Sequence, residues 1–209
     1  MVLDAKGALY GTTAGANFGT VFKFDPATDT PTTLHAFSGA DGKAPYAGLV
    51  FDKNGALYGT TLAGGAYNSG TVFKLTPPAV GKTAWTETVL HSFTGGADGA
   101  NPMAALVFGP DGALYGTAAG GGLGKKGTVF RLDPTNQTLT PLHTFFGTDG
   151  AYPEGALVFD KSGALSGTTS RGGPNLNVDV GTVFKLAPVT YALTTLYAFS
   201  GASGVQLTG

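Results

Sequence analysis

Three histidines are the side chains of this sequence best suited to metal binding or to proton transfer. His35, His91 and His143 each follow a leucine and stand two residues before a phenylalanine. Imidazole titrates near neutral pH and is a common metal ligand, so these rings have the chemistry of general bases or ligands. They occupy the same place in three successive copies of one phrase, however. We therefore expect them to lie far apart, on different structural units, and to have a packing role.

An Asp-Gly pair follows each histidine, at Asp41, Asp98 and Asp149. A ring of such carboxylates is one way to bind Ca²⁺. Asp-Gly is also ordinary turn chemistry, because aspartate bonds to nearby backbone amides and glycine adopts positive φ angles. Since the sequence lacks the ligand spacing of an EF-hand, the pattern predicts turns, with no metal site and no cofactor.

The sequence contains no recognisable catalytic motif. It has no G-x-S-x-G elbow, no H-E-x-x-H zinc motif and no phosphate-binding loop of the G-x-x-x-x-G-K-[ST] type. Two carboxylates on different units can still act together on a polysaccharide, as in glycoside hydrolases. Glu154 is one of only two glutamates and lies outside the repeated phrase. It is therefore a weak candidate for a catalytic acid, and no other catalytic residue is predicted.

The positions that differ between the copies are the better candidates for binding. They combine tyrosine rings, which cover the apolar side of a sugar, with amides and charges, which bond to hydroxyls. Solvated loop tips without a ligand would have the same composition. The predicted ligand-binding residues are Tyr46, Tyr67, Asn68, Asn101, Tyr152, Glu154 and Arg171.

A phrase repeated four times defines the elements that carry these side chains. Its "L-x-G-T" part begins at Leu9, Leu57, Leu114 and Leu165, so successive copies are 48, 57 and 51 residues apart. Each copy contains four short apolar or alternating segments, among them "AGLVFD", "ALYGTT", "GTVFKL" and "TTLHAFSG" in the first two copies. Turns rich in Asp, Asn, Gly and Pro separate the segments, which is typical of a four-stranded antiparallel meander.

We predict an all-β fold, a β-propeller built from four repeats of four antiparallel strands. A single meander cannot bury both of its faces, so the copies must pack on one another. Radial packing gives a propeller, and a β-solenoid is the alternative. The predicted blades cover approximately residues 1–46, 47–103, 104–155 and 156–209 of a single repeat domain. The second-to-third and fourth-to-first strand connections should leave the blades at the same end.

The order of phrases in one copy, "LYGTT…GG…GTVFKL…LHSF.G.DG..P.A.LVFD..G", resembles the Gloeo/Verruco (GloVer) tandem repeat of bacterial secreted proteins. It is also similar to the repeat of NHL-type propellers. The GloVer resemblance covers essentially all 209 residues. It implies a repeat array with an extracellular or cell-surface location. Because Met1 is followed directly by the start of a repeat, we expect any signal or anchor to lie outside this chain. The resemblance implies no activity and no role for any residue.

Four blades leave two ways to close a ring. The chain closes alone with strong twist, or two chains form an eight-bladed homodimer through their first and last blades. Every blade is one continuous segment, because the boundary between copies falls in the connection from a fourth strand to the next first strand. We expect pairing slightly more than closure of a single chain.

Two further features predict local packing. Trp85, the single tryptophan, lies in the extra length of the second copy. We expect it to cover an edge of that blade, and a contact with another chain or domain is the alternative. In the fourth copy, Tyr197 takes the histidine position while Ser166 takes the tyrosine position of "LYGT". This exchange predicts that the ring of Tyr58 packs against that of His91.

The composition argues against two classes of partner. A net charge of −1 offers no electrostatic attraction to nucleic acid, and no apolar run reaches the ~18 residues of a membrane helix. We therefore predict neither nucleic-acid binding nor membrane insertion. The predicted function is an extracellular ligand-binding or adhesive module with a saccharide ligand. A polysaccharide-active enzyme, either a glycoside hydrolase or a lyase, and a purely structural repeat array are the alternatives.

Overall fold

The computed structural model describes residues 1–15, 17–174 and 180–200, whose strands form four sheets. The first sheet contains β1 (Val2–Leu3), β2 (Leu9–Thr13), β3 (Thr20–Asp25) and β4 (Thr30–Ala36). The second contains β5 (Val50–Phe51), β6 (Leu57–Thr61), β7 (Thr71–Thr76) and β8 (Thr86–Ser92). The third contains β9 (Val107–Phe108), β10 (Leu114–Ala118), β11 (Thr128–Asp133) and β12 (Thr138–Thr144). The fourth contains β13 (Val158–Phe159), β14 (Leu165–Thr169), β15 (Thr182–Leu186) and β16 (Leu193–Ala198).

Each sheet is an antiparallel meander in which every strand pairs with the next one along the chain. The prediction of an all-β fold made of four such sheets is therefore confirmed, and we call the sheets blades 1 to 4. The first strand of each blade is shorter than predicted. In blade 2 the ladder contains only Val50 opposite Tyr58 and Phe51 opposite Leu57. Ala47 and Leu49 precede this ladder as buried side chains. Residues 201–209 of the predicted fourth blade lie outside the part of the chain that the structure describes.

The glycine of "LYGT" is required by the phenylalanine of "TVFKL". Gly59 on β6 lies opposite Phe73 on β7, and the phenylalanine ring crosses over the glycine. A β-carbon at Gly59 would come within 2.7 Å of that ring and within 2.8 Å of the Leu49 side chain. The same close approach occurs in the other three blades. The repeated phrase is thus a packing unit in which a bare backbone makes room for a buried ring.

A β-bulge recurs on the last strand of every blade. The register of the third and fourth strands shifts between Val72 and Phe73, and between the equivalent residues of the other blades. In blade 2, Leu90 is left between His91, which faces Val72, and Val89, which faces Phe73. A bulge increases strand twist, and this one leaves Leu90 buried beside the next blade.

Among the described residues, three hydrophobic clusters form the core, and each joins two consecutive blades. At the junction of blades 1 and 2, Tyr10 and Val21 pack against Phe73 and Leu75. The junctions of blades 2 and 3, and of blades 3 and 4, contain the equivalent residues. We call the side of a blade that meets the following blade its forward face, and the side that meets the preceding blade its backward face. In blades 2 and 3, both faces of the central strands are buried, because their alternating side chains enter different junctions.

The structure shows where both residues predicted to pack locally make their contacts. Trp85 is half-buried against the cluster between blades 1 and 2, and its ring centroid lies 6.2 Å from that of Tyr10. It therefore covers a junction and not merely an edge of its own blade. The predicted contact between Tyr58 and His91 is wrong. The Tyr58 ring meets Phe108, whereas the His91 ring meets Phe93.

Among the residues that the structure describes, there is no helix with the length and hydropathy of a membrane span.

Candidate ligand-binding surfaces

The predicted ligand residues all lie in connections at one end of the blades. Each connection between a fourth and a first strand runs beside the second-to-third connection of the next blade. Backbone bridges join Lys43 to Ala63, Ala100 to Gly120 and Ala151 to Arg171. We call this surface the loop end. It carries Tyr46, Tyr67, Asn68, Asn101, Tyr152, Glu154 and Arg171.

Asn101 and Tyr152 hold consecutive blades together through their backbones. Both have positive φ angles, of 55° and 54°. The Tyr152 N–H donates to the Lys126 carbonyl at 2.8 Å, and the Tyr152 carbonyl accepts from the Ser170 N–H at 3.0 Å. Asn101 makes the equivalent backbone bonds one junction earlier, and its side-chain amide also donates to the Leu62 carbonyl at 3.0 Å. These two residues therefore have a structural role before any ligand is considered.

The Tyr152 ring contacts two cations. The Lys126 ammonium is 5.4 Å from the ring centroid, and the Arg171 guanidinium is 5.8 Å from it. Such cation–π contacts attract both cations to the ring. The loop end thus holds Tyr152 and Arg171 together at the junction of blades 3 and 4.

Of the remaining predicted residues, Glu154 follows Tyr152 in the connection between blades 3 and 4, whereas Tyr46, Tyr67 and Asn68 lie in the connections of blades 1 and 2. Tyr46 and Tyr67 are 60% and 62% exposed, while Glu154 is half-buried. The Asn68 side chain accepts a hydrogen bond from the Gly64 N–H at 3.3 Å, and its φ is 55°. Among the described ring contacts, none joins Tyr46, Tyr67 and Tyr152 to one another. The loop end therefore presents separate aromatic positions, and not one shared platform.

Each histidine forms a pair with the aspartate of its own blade. The Nε2 atoms of His35, His91 and His143 lie 2.9, 3.0 and 2.7 Å from Asp41, Asp98 and Asp149 respectively. Burial would raise the pKa of Asp98, but hydrogen bonds from Thr94 and His91 hold that pKa below its ordinary value. The pairs close the turn after the fourth strand, as the Asp-Gly pattern predicts. They also place imidazole beside carboxylate three times.

A groove of about 820 Å³ opens between blades 2 and 3 at the end opposite the loop end. Turns at residues 52–54 and 111–113 form two of its walls, and residues 133–135 form a third. The rings of Phe51, Tyr58 and Phe108 and the cations Lys74 and Arg131 complete the lining. Sequence reasoning missed this site, because its residues belong to repeated turns and only packing brings two turns together. The sequence does show one departure at this site, since Arg131 stands where the third strands of the other three copies have lysine.

Charged groups in the groove are held in fixed places. Arg131 donates to Asp111 through Nε at 2.9 Å and through Nη2 at 2.8 Å. Burial acts to raise the pKa of Asp111, yet hydrogen bonds from Arg131, the Ala113 N–H and Tyr115 keep it below the ordinary value. Burial and the neighbouring Asp52 raise the pKa of Tyr58 to about 12. Tyr58 therefore remains a hydroxyl at neutral pH, with the Lys74 ammonium 5.6 Å from its ring centroid.

Four successive antiparallel sheets that pack face to face define a repeat protein of the β-propeller-like class. The model of the Gloeobacter/Verrucomicrobia repeat matches residues 1–209, and the chain belongs to this family. The resemblance noted from the sequence is thereby confirmed. No curated protein matches the chain.

Solved structures share the fold at low sequence identity. TolB from Acinetobacter baumannii is 16% identical, with a TM-score of 0.54 over 90% of this chain and 41% of TolB. The extracellular domain of a putative one-component system from B. thetaiotaomicron is 12% identical, with a TM-score of 0.59 over 98% of this chain and 22% of that one. PorZ from Porphyromonas gingivalis is 15% identical, with a TM-score of 0.54 over 97% of this chain and 27% of PorZ. The chain spans less than half the length of each of these structures.

Proposed function

We propose that the chain is an extracellular ligand-binding module whose ligand is a saccharide. The observation that carries this proposal is the groove between blades 2 and 3, where aromatic rings lie beside fixed charges and an amide. Ring faces and edges pack on the apolar side of a pyranose, while carboxylates, ammonium groups and amides bond to its hydroxyls. A cell-surface location agrees with two structural neighbours, which are described as an extracellular domain and a bacterial surface component.

The polar groups of the groove favour a sugar over a strongly charged ligand. Asp52, Asp111 and Asp133 alternate with Lys53, Lys74 and Arg131 along its walls. Neither sign of charge dominates, so a polyphosphate or a polyanionic chain would meet repulsion as well as attraction. A neutral or weakly charged saccharide meets donors and acceptors of both kinds. We expect each site to bind its saccharide weakly. Several such sites on one polysaccharide should raise the overall affinity.

The loop end is the second candidate surface for the same ligand class. Tyr46 and Tyr67 leave their rings largely open to solvent, and Tyr152 is held by Lys126 and Arg171. Each stacked ring would contribute on the order of 1 kcal/mol, as aromatic pairs do. Tyr46 and Tyr67 belong to connections of blades 1 and 2, and Tyr152 belongs to the connection between blades 3 and 4. The rings therefore suit an extended chain that runs across the blades.

A glycan array followed by calorimetric titration of the saccharides that bind would test the proposal. Alanine at both Lys53 and Asn54, two exposed groove residues, should weaken binding about tenfold or more if the groove holds the ligand. The matched control is alanine at Lys161 and Ser162, which occupy the same turn in blade 4. Alanine at Tyr67 and Tyr152 tests the loop end in the same way. Failure to bind any arrayed saccharide, or full affinity in both test variants, would overturn the proposal.

A structural repeat array is the second candidate, and one observation favours it. Met1 and Leu3 on the backward face of blade 1 are 80% and 59% exposed, although their equivalents in blade 2 are buried or half-buried. Such a sheet face is suited to receive another blade. In the proposed homodimer, this face covers the forward face of blade 4 in a second chain. The two functions are compatible, because neither candidate surface includes these end faces.

A further inference from the structure

Glu87 on β8 breaks the pattern of the repeats. The equivalent positions of the other blades hold Pro31, Leu139 and Leu193, as the register with the third strands shows. Leu139 and Leu193 pack against the clusters of their own junctions. Blade 2 therefore places a carboxyl group where the other blades have an apolar side chain, at the junction with blade 1.

The Glu87 carboxyl meets a histidine–aspartate pair of the preceding blade. Ligand atoms of His35, Asp41 and Glu87 all lie within 4.8 Å of one another, and the three residues are half-buried. Among the described residues, the Glu87 Oε1 atom is a buried side-chain oxygen without a hydrogen-bond partner. An unpaired carboxyl oxygen in such a place is costly, because folding removes its water and supplies no donor. The described residues of this junction thus supply no hydrogen-bond donor to this oxygen.

We propose that His35, Asp41 and Glu87 bind a divalent transition-metal ion of the zinc class. One imidazole and two carboxylates form a ligand set that Zn²⁺ accepts, with water at the remaining position. The imidazole disfavours Ca²⁺ and Mg²⁺, which prefer oxygen ligands. Neighbouring ligands of a tetrahedral zinc site lie about 3.3 Å apart, and the His35 Nε2 atom is already 2.9 Å from Asp41 Oδ2.

The surroundings of the three side chains support this site. Ser38 donates through its backbone N–H and its hydroxyl to Asp41 Oδ1, which holds the carboxylate in place and leaves Oδ2 toward His35. Such bonds from outside the ligand set orient metal ligands. A bound cation removes the repulsion between the two carboxylates and joins blade 1 to blade 2.

The other junctions provide internal controls. His91 with Asp98 and His143 with Asp149 repeat the first two ligands, but leucine stands where the third ligand would be. Two ligands without the glutamate should bind a metal ion much more weakly. We therefore expect one tight site for each chain.

Titration of the chelator-treated chain with Zn²⁺ tests the site. We expect one equivalent to bind, a rise in the melting temperature, and a tetrahedral absorption spectrum when Co²⁺ replaces Zn²⁺. Glu87→Leu copies the other blades and should fold normally, yet lose at least about 100-fold in affinity. His91→Gln should leave binding unchanged. Leu139→Glu should create a second site, so that two equivalents bind. A wild-type chain that binds no Zn²⁺, or a Glu87→Leu chain that binds it equally well, would overturn the proposal.

Discussion

The three junctions inside the chain and the two faces at its ends are built from the same repeated residues, yet their burial differs. In blade 2, Leu49, Phe73 and Leu75 on the backward face are almost completely buried. In blade 1, the equivalent Met1 is 80% exposed, and Phe22 and Phe24 are only half-buried. The same sequence phrase therefore gives a core or an open surface, and the presence of a neighbouring blade decides which.

The forward face of blade 4 shows the same difference. Val72 and Phe93 are fully buried between blades 2 and 3, whereas the equivalent Val183 and Phe199 are half-buried. In repeat proteins, stability is roughly the sum of the units and of the interfaces between them. The junctions should accordingly contribute most of the free energy of unfolding. The end faces should contribute little until another blade covers them.

The largest expected effect comes from one substitution made on both kinds of face. Phe130→Ala empties the centre of the junction between blades 2 and 3 and should cost about 3–5 kcal/mol. Phe22→Ala, at the equivalent position of blade 1, should cost about 1–2 kcal/mol, because its ring is already partly in water. Urea unfolding measures both. Equal losses would mean that the backward face of blade 1 is covered in solution.

Association of two chains would sharpen the comparison. If the end faces cover each other, light scattering should show two chains in one particle at high concentration. Leu3→Lys, which places a charge on an exposed position of the backward face, should then weaken association about tenfold to a hundredfold. Lys6→Glu, in the exposed turn after β1, serves as the control and should have no such effect. One chain at every concentration would contradict the proposed homodimer.

The repeated phrase was sufficient to predict the four meanders, because both the turns and the apolar segments are local signals. "LYGT" and "TVFKL" specify neighbouring strands, and the packing of Phe73 over Gly59 explains why the two phrases occur together. Because successive strands of a meander are antiparallel, the sequence also predicted that the second-to-third and fourth-to-first connections lie at the same end of the blades. The length of the first strand was not predictable, since only its pairing partner limits it to Val50 and Phe51.

The candidate sites were harder to predict, because they depend on contacts between blades. The sequence indicated exposed rings at Tyr46 and Tyr67, but not that the backbones of Asn101 and Tyr152 link the blades. Nothing local in the sequence places Glu87 beside His35, which is 52 residues away. A comparison of the four copies could have identified Glu87 as a departure from an apolar position. The groove likewise exists only because two turns of different blades meet.

The histidine–aspartate pairs distinguish the first three blades from blade 4, in which Tyr197 replaces histidine. Asp98→Asn should cost about 1 kcal/mol at neutral pH, because the hydrogen bonds from His91 and Thr94 weaken. The pKa of Asp98 lies below its ordinary value of 3.8 in the folded chain. The folded state therefore binds this proton more weakly than the unfolded state, and the stabilisation is lost as the pH falls through the lowered pKa. Urea midpoints between pH 6 and pH 2 should fall less steeply in the variant. An unchanged slope would contradict this role.

The smallest effects are expected at the loop end, because its side chains are more exposed than those buried in the blade junctions. Tyr67→Ala should change the free energy of unfolding by less than about 0.5 kcal/mol, because the ring is 62% exposed. Tyr152→Ala should cost more, about 0.5–1 kcal/mol, since it removes the ring that Lys126 and Arg171 contact. Tyr152→Phe keeps the ring and should restore the stability. If Tyr67→Ala proves as costly as Tyr152→Ala in urea unfolding, Tyr67 is buried in solution, and its proposed availability to a saccharide is wrong.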